Sequence, residues 1–273
     1  MKEKESKEMS FLDHLEELRW ILVRCSFAIT IMAVISYFFA DFIFDEIIFG
    51  PTKPEFFTYK FFCEASHYLG FAESICITEL NFIIQNTEME GQVNIFVWTC
   101  ITVGFILAFP YILYQFWNFI SPALYENERK NAKLFIFIAS ILFFIGVIFG
   151  YFVIVPMSIN FLATFSISSI VQNQFNIASY VSMVKTSVIA SGLFFELPII
   201  IYFLSKLGLV TPTFLRNNRK YAIVIVLIVA AIITPPDVVS QITVAIPMLL
   251  IYEASIFVSA AVVKNKLKNE QSS

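Results

Sequence analysis

Charge is scarce in this chain. Asp, Glu, Lys and Arg make up 14% of its 273 residues, where a soluble globular chain carries about 25%, so a water-soluble domain is excluded. Histidine is nearly absent: His14 and His67 are the only two. No HExxH, GxSxG or P-loop pattern occurs, and the 8 glycines form no phosphate-cradling loop. An enzyme is therefore not expected, nor a cofactor. The 4 cysteines include no CxxC and no Cys/His cluster, which leaves no metal site to propose. The apolar runs do not alternate in ten-residue segments, so a β-barrel is excluded. No internal repeat is visible, which counts against a repeat-built transporter.

What the chain has in abundance is apolar surface: 58% hydrophobic residues and a mean hydropathy of +0.78. Several runs are near the ~20 residues that cross a bilayer. The fold class expected is an all-α polytopic membrane protein, a single membrane domain over 1–273 with six transmembrane helices. Their approximate bounds are 20–40, 94–116, 133–155, 185–207, 221–233 and 238–263. The fifth is short, 13 residues or roughly 20 Å. Pro110 is expected to kink the second.

The polar segments divide by charge. Ser10 and Asp13 form a capping pattern, and Phe11, Leu15, Leu18 and Leu22 form a stripe, so Ser10–Arg19 reads as an interfacial helix that turns into the first span. No small-residue cleavage site follows that span, which makes it an uncleaved anchor. The large outer loop 41–93 holds nine acids against Lys53 and Lys60. Within it, Phe56, Phe57, Phe61 and Phe62 mark a second interfacial helix, Pro54–Leu69. Cys63 and Cys76 share this loop and would pair if it faces an oxidising compartment; Cys25 and Cys100 read as buried thiols. The stretch Pro156–Val184 reads as a connector too polar to span. Fifteen of the eighteen lysines and arginines lie in the N-terminal tail, the second and fourth loops and the C-terminal tail. By the positive-inside rule both termini are cytoplasmic, N-in and C-in.

Five acids could carry function. Ser121 and Pro122 start a helix on the second loop, where Glu126 can pair with Lys130 four residues on. Glu128 has no such cation, and Trp117, Phe119 and Tyr125 ring it at headgroup depth. This reads either as a solvated loop with aromatic anchors or as a site for a cationic ligand. Glu17 lacks a cation on its own helix too, whereas Glu16 can pair with Arg19. Two lone acids at one membrane face could receive two positive charges; the plainer reading is an ordinary exposed acid. Glu196 lies mid-span beside Pro198, where a charge costs at least ~2.5 kcal/mol, so it faces protein, water or a partner, or is protonated. Glu253 in the sixth span could be satisfied by Tyr252, Ser255 and Ser259. Asp237, after Pro235 in the outer turn, reads as the N-cap of the sixth span.

These residues fall in motifs: HLEELR at His14–Arg19, FISPALYENER at Phe119–Arg129, FELP at Phe195–Pro198, TPPD with SQ at Thr234–Gln241, and AIPMLLIYE at Ala245–Glu253. In this order they resemble the TatC family, the multispan receptor subunit of the twin-arginine protein translocase. The resemblance covers every part of the chain except the first outer loop. It implies a concave helix array with short fifth and sixth helices in the cytoplasmic (inner) membrane. It implies a non-enzymatic role: binding twin-arginine signal peptides of folded cargo at the cytoplasmic face and nucleating the complex for export driven by the proton motive force. The implied partners are TatA/TatB-type single-span subunits, the lipid bilayer and further copies of the chain within the complex, with no nucleic acid. By motif position Glu17 and Glu128 resemble the acids that receive the arginine pair, with Arg19, Phe119, Pro122, Leu124 and Tyr125 shaping that site. Glu196 matches an intramembrane acid on the concave face. The long, Phe-rich loop 41–93 departs from the family pattern. A rival reading is a small-solute or proton-coupled secondary transporter centred on Glu196; a third is a membrane scaffold without ligand.

Overall fold

The computed structural model describes residues 11–68, 82–120, 132–168, 170, 172–234 and 238–271. Its helices are α1 (Phe11–Phe38), α2 (Phe57–Tyr68), α3 (Gly91–Ile120), α4 (Ala132–Phe149), α5 (Val155–Thr164), α6 (Ile177–Phe195), α7 (Leu197–Lys206), α8 (Pro212–Asn217), α9 (Arg219–Ile233) and α10 (Val238–Gln271). A π-helical turn over Gly150–Ile154 links α4 to α5, so they form one rod. Among the described residues, five stretches are long and apolar enough to cross a membrane: Leu15–Phe38, Gly91–Phe119, Lys133–Thr164, Ile177–Lys206 and Ser240–Lys264.

Several expectations change. α1 is continuous through Arg19, without a turn between an interfacial segment and a span. The connector expected over Pro156–Val184 is largely helical. The third rod runs on to Thr164 and the next helix already begins at Ile177, because Ser158 is buried in protein rather than facing lipid and Asn176 caps the second helix. The outer loop carries the expected aromatic helix as α2, and also a strand, β1 (Ile83–Gln85), paired in parallel with β2 (Gln174–Asn176). α9 has 15 residues, about 22 Å, short of the ~30 Å core. α10 has 34 and is not short.

Contacts divide the chain into two compact units, 1–40 with 97–140, and 41–96 with 141–273. In the first, α1 and α3 close around Ile21, Cys25, Ala108 and Ile112, with Phe105 and Phe119 packed against them. In the second, Ile154, Val226, Ala230, Ile233, Val244 and Met248 form the main core. Ile201, Leu215 and Ile256 form a smaller one. Rods α4–α5 and α6 meet on small residues: a Cβ on Gly146 would come within 2.8 Å of the Gly192 Cα, and one on Gly150 within 2.9 Å of the Ser187 carbonyl. Such seams replace the hydrophobic drive that lipid cannot supply between helices.

The segment after α1 is irregular, a π turn over Ile43–Ile48 and a 3₁₀ turn over Gly50–Thr52. Three tyrosine hydroxyls donate to its carbonyls: Tyr151 to Ile47 (2.8 Å), Tyr180 to Ile48 (2.7 Å) and Tyr59 to Pro51 (2.9 Å). Irregular backbone near a bilayer is tolerated only when protein groups satisfy it. Asn176 caps α6 by accepting from the Ala178 N–H (2.7 Å), and its amide donates to Thr87 Oγ1 (2.6 Å).

Candidate functional site

The two acids proposed for a cationic ligand belong to the first unit. Glu17 lies in the first turns of α1 and is partly exposed. Among the described residues it has no ion-pair partner. Glu16 is likewise unpaired: the expected bond to Arg19 is not formed, and the Arg19 guanidinium instead lies 5.6 Å from the Trp20 ring. Glu16 and Glu17 are therefore not distinguished by pairing on α1, since an i+3 pair on an exposed helix is too weak to hold one rotamer.

α3 runs antiparallel to α1. Near the middle, Gly104 faces Ile29 and Ala33; toward the far end, Ile112 shares a core cluster with Ile21, and Phe119 packs against that cluster. Ile21 is one turn beyond Glu17, so the end of α3 lies near the first turns of α1. Pro122, Leu124, Tyr125 and Glu128 lie outside the described residues, as do Glu126 and Lys130. Phe119 is half-buried against the α1–α3 core. Trp117 does not belong to an exposed ring: it is buried, with its ring 4.6 Å from that of Phe135.

Glu196 belongs to the second unit and sits at the break between α6 and α7. Pro198 cannot donate, and the Glu196 carbonyl accepts instead from Ile199 (2.9 Å) and Ile200 (3.0 Å). The residue is 6% exposed, and among the described residues neither carboxylate oxygen has a hydrogen-bond partner. A buried carboxylate without a partner costs several kcal/mol unless neutralised. Glu253 differs from expectation: it is bound not by nearby hydroxyls but by Arg219, whose Nη2 donates to Oε2 at 2.7 Å. The neighbouring Tyr252 donates to the Leu215 carbonyl (2.9 Å), so α8 and α9 are tied to α10 by adjacent side chains. Sequence spacing offered no signal for a pair 34 residues apart. Pro235 and Asp237 lie outside the described residues. Cys63 is disulfide-bonded, Cys25 and Cys100 are free, and Cys76 is outside the described residues.

A cleft of about 570 Å³ opens among Phe82, Phe175, Ser179, Met183, Thr186 and Ile232. No charged side chain lines it, and Glu196 is not on its wall.

Spanning rods, a buried acid at a helix break and an uncharged cleft define a polytopic helical membrane protein. A family model described as Sec-independent protein translocase protein (TatC) matches residues 13–247. The TatC of Blattabacterium sp. subsp. Periplaneta americana is 44% identical over 267 residues, 96% of this chain and 99% of that one. The TatC of Aquifex aeolicus is 35% identical, covering 94% and 98%. A crystal structure titled as the twin arginine translocase receptor TatC superposes with a TM-score of 0.70 at 34% identity, covering 92% of this chain and 99% of that chain. The chain belongs to the TatC family.

Proposed function

We propose that this chain is the receptor subunit of a twin-arginine translocase in the cytoplasmic membrane, with six membrane-crossing helices and both termini cytoplasmic. It binds the paired arginines of signal peptides on folded cargo and nucleates a complex with single-span TatA/TatB-type subunits, and export draws on the proton motive force. Glu17 and Glu128 accept the two guanidinium groups; Arg19, Phe119, Pro122, Leu124 and Tyr125 shape the surrounding surface.

The observation that supports this reading is that Ile112 and Ile21 share one core cluster, with Phe119 packed against it, so the end of α3 lies near the first turns of α1, where Glu17 has no ion-pair partner among the described residues. Two carboxylates at one membrane face favour arginine over lysine, because a guanidinium bonds a carboxylate through two parallel N–H groups while an ammonium is a point charge. The test is photocrosslinking from position 128 to a peptide bearing paired arginines, with paired lysines as control. Equal crosslinking to both peptides would overturn the assignment. The rival transporter reading is weakened by the cleft, which lacks both charge and Glu196; substrate flux by the purified chain in liposomes would revive it.

A further inference from the structure

The loop between the first two long rods carries a helix whose outer face the proposed function leaves unused. On α2, Phe57, Lys60 and Phe61 are all exposed, with Phe57 at 66% and Phe61 at 56%. Their spacing puts them on one helix face together with exposed Glu64. The opposite face is pinned. Thr58 donates to the Phe152 carbonyl (2.6 Å) and Tyr59 donates to those of Pro51 (2.9 Å) and Pro156 (3.4 Å); on the exposed side, Phe57 still meets the edge of Phe152.

That attachment gives α2 a depth. Phe152 lies nineteen residues beyond Lys133, where its rod begins, or about 29 Å along the axis. The hydrocarbon core is about 30 Å thick, so a rod that enters the bilayer at Lys133 leaves it near Phe152. The three tyrosines holding the turn at Ile47–Pro51 lie at the same level, and tyrosine concentrates at membrane–water boundaries.

We propose that α2 is a lipid-bound helix lying in the bilayer surface, with Phe57 and Phe61 in the edge of the hydrocarbon and Lys60 against lipid phosphate. Among the described residues Lys60 has no ion-pair partner, whereas Lys53 is paired with Glu46 (3.3 Å). A lysine stem between two aromatic rings lies along apolar surface while its ammonium reaches the headgroups. The helix descends toward its first turn, which is bound to the rod, so Phe57 lies deepest and Glu64 reaches water. A membrane, not a protein, is the occupant that this depth and this mixed face suit.

The full chain, reconstituted in vesicles of equal parts phosphatidylcholine and phosphatidylglycerol, would carry p-benzoylphenylalanine at position 57, 61 or 64. Irradiation is expected to give lipid adducts about tenfold more abundant at 57 and 61 than at 64, following the burial of an interfacial helix's apolar face. Protein adducts, or equal lipid yields at the three positions, would overturn the proposal. Phe57→Trp and Phe61→Trp provide an independent reading. Emission added over the parent chain is quenched by phospholipid brominated near the headgroup, more weakly by lipid brominated near the chain end. No quenching at either position also overturns it.

Discussion

A side chain on Gly104 would place its Cβ 2.7 Å from the backbone nitrogen of Ala33 and 2.8 Å from the carbonyl oxygen of Ile29. These are backbone atoms and cannot rotate away. Gly104→Leu is therefore expected to push α1 off α3 and lower stability by about 1–3 kcal/mol, the usual cost of overpacking. Thermal unfolding in detergent reads this directly. Peptide affinity falls in the same variant, because this seam sets the end of α3 near the first turns of α1. An unchanged melting temperature would show that the helices do not rely on the contact.

Glu17→Gln should weaken binding of a twin-arginine peptide by roughly tenfold or more, since hydrogen bonds to charged groups contribute about 1.5–3 kcal/mol. Glu128→Gln should do the same, and Glu126→Ala should do less. Glu16→Gln is the informative companion, because Glu16 is as unpaired as Glu17. Titration calorimetry that finds Glu16→Gln equal to Glu17→Gln would mean that the α1 contribution is general negative potential rather than one placed carboxylate.

Both carboxylate oxygens of Glu196 are buried, with no hydrogen-bond partner among the described residues. Glu196→Leu removes that mismatch and is expected to raise the stability of the isolated chain by about 1–3 kcal/mol, the penalty of an unsatisfied buried polar group. Export should fall in the same variant if a partner subunit satisfies the acid in the complex. A loss of stability in the isolated chain would mean that Glu196 is already compensated there.

Arg219 and Glu253 join α9 to α10 with both side chains about half exposed. Their coupling in a double-mutant cycle should be about 0.2–1 kcal/mol, as for exposed pairs. Exchange of the charges, Arg219→Glu with Glu253→Arg, should restore most of what either single reversal loses. If the exchange fares no better than the singles, the bond contributes nothing beyond its two side chains' packing.

Local patterns carried much of this fold. Apolar run length alone placed the rods near Trp20, Asn94, Lys133 and Val238, because desolvating a backbone in lipid leaves the helix as the one open-ended solution. The aromatic punctuation at Phe57 and Phe61 likewise marked α2 as a helix. What failed was anything that depends on a distant neighbour. The Ser- and Asn-rich stretch Pro156–Val184 looked too polar to join a span, yet Ser158 is fully buried in protein and Asn176 caps α6.

The chain's composition by itself determined a helical membrane protein, since hydropathy is a property of consecutive residues, and its ordered motifs carried the resemblance to the TatC family. Only the tertiary structure decided that Arg219 serves Glu253, that three tyrosines hold the turn at Ile47–Pro51, and that, among the described residues, neither Glu16 nor Glu17 has an ion-pair partner and the Glu196 carboxylate has no hydrogen-bond partner. Those outcomes turn on which faces of separate helices meet, and the free energy of a buried polar atom depends on what meets it rather than on what precedes it in the chain.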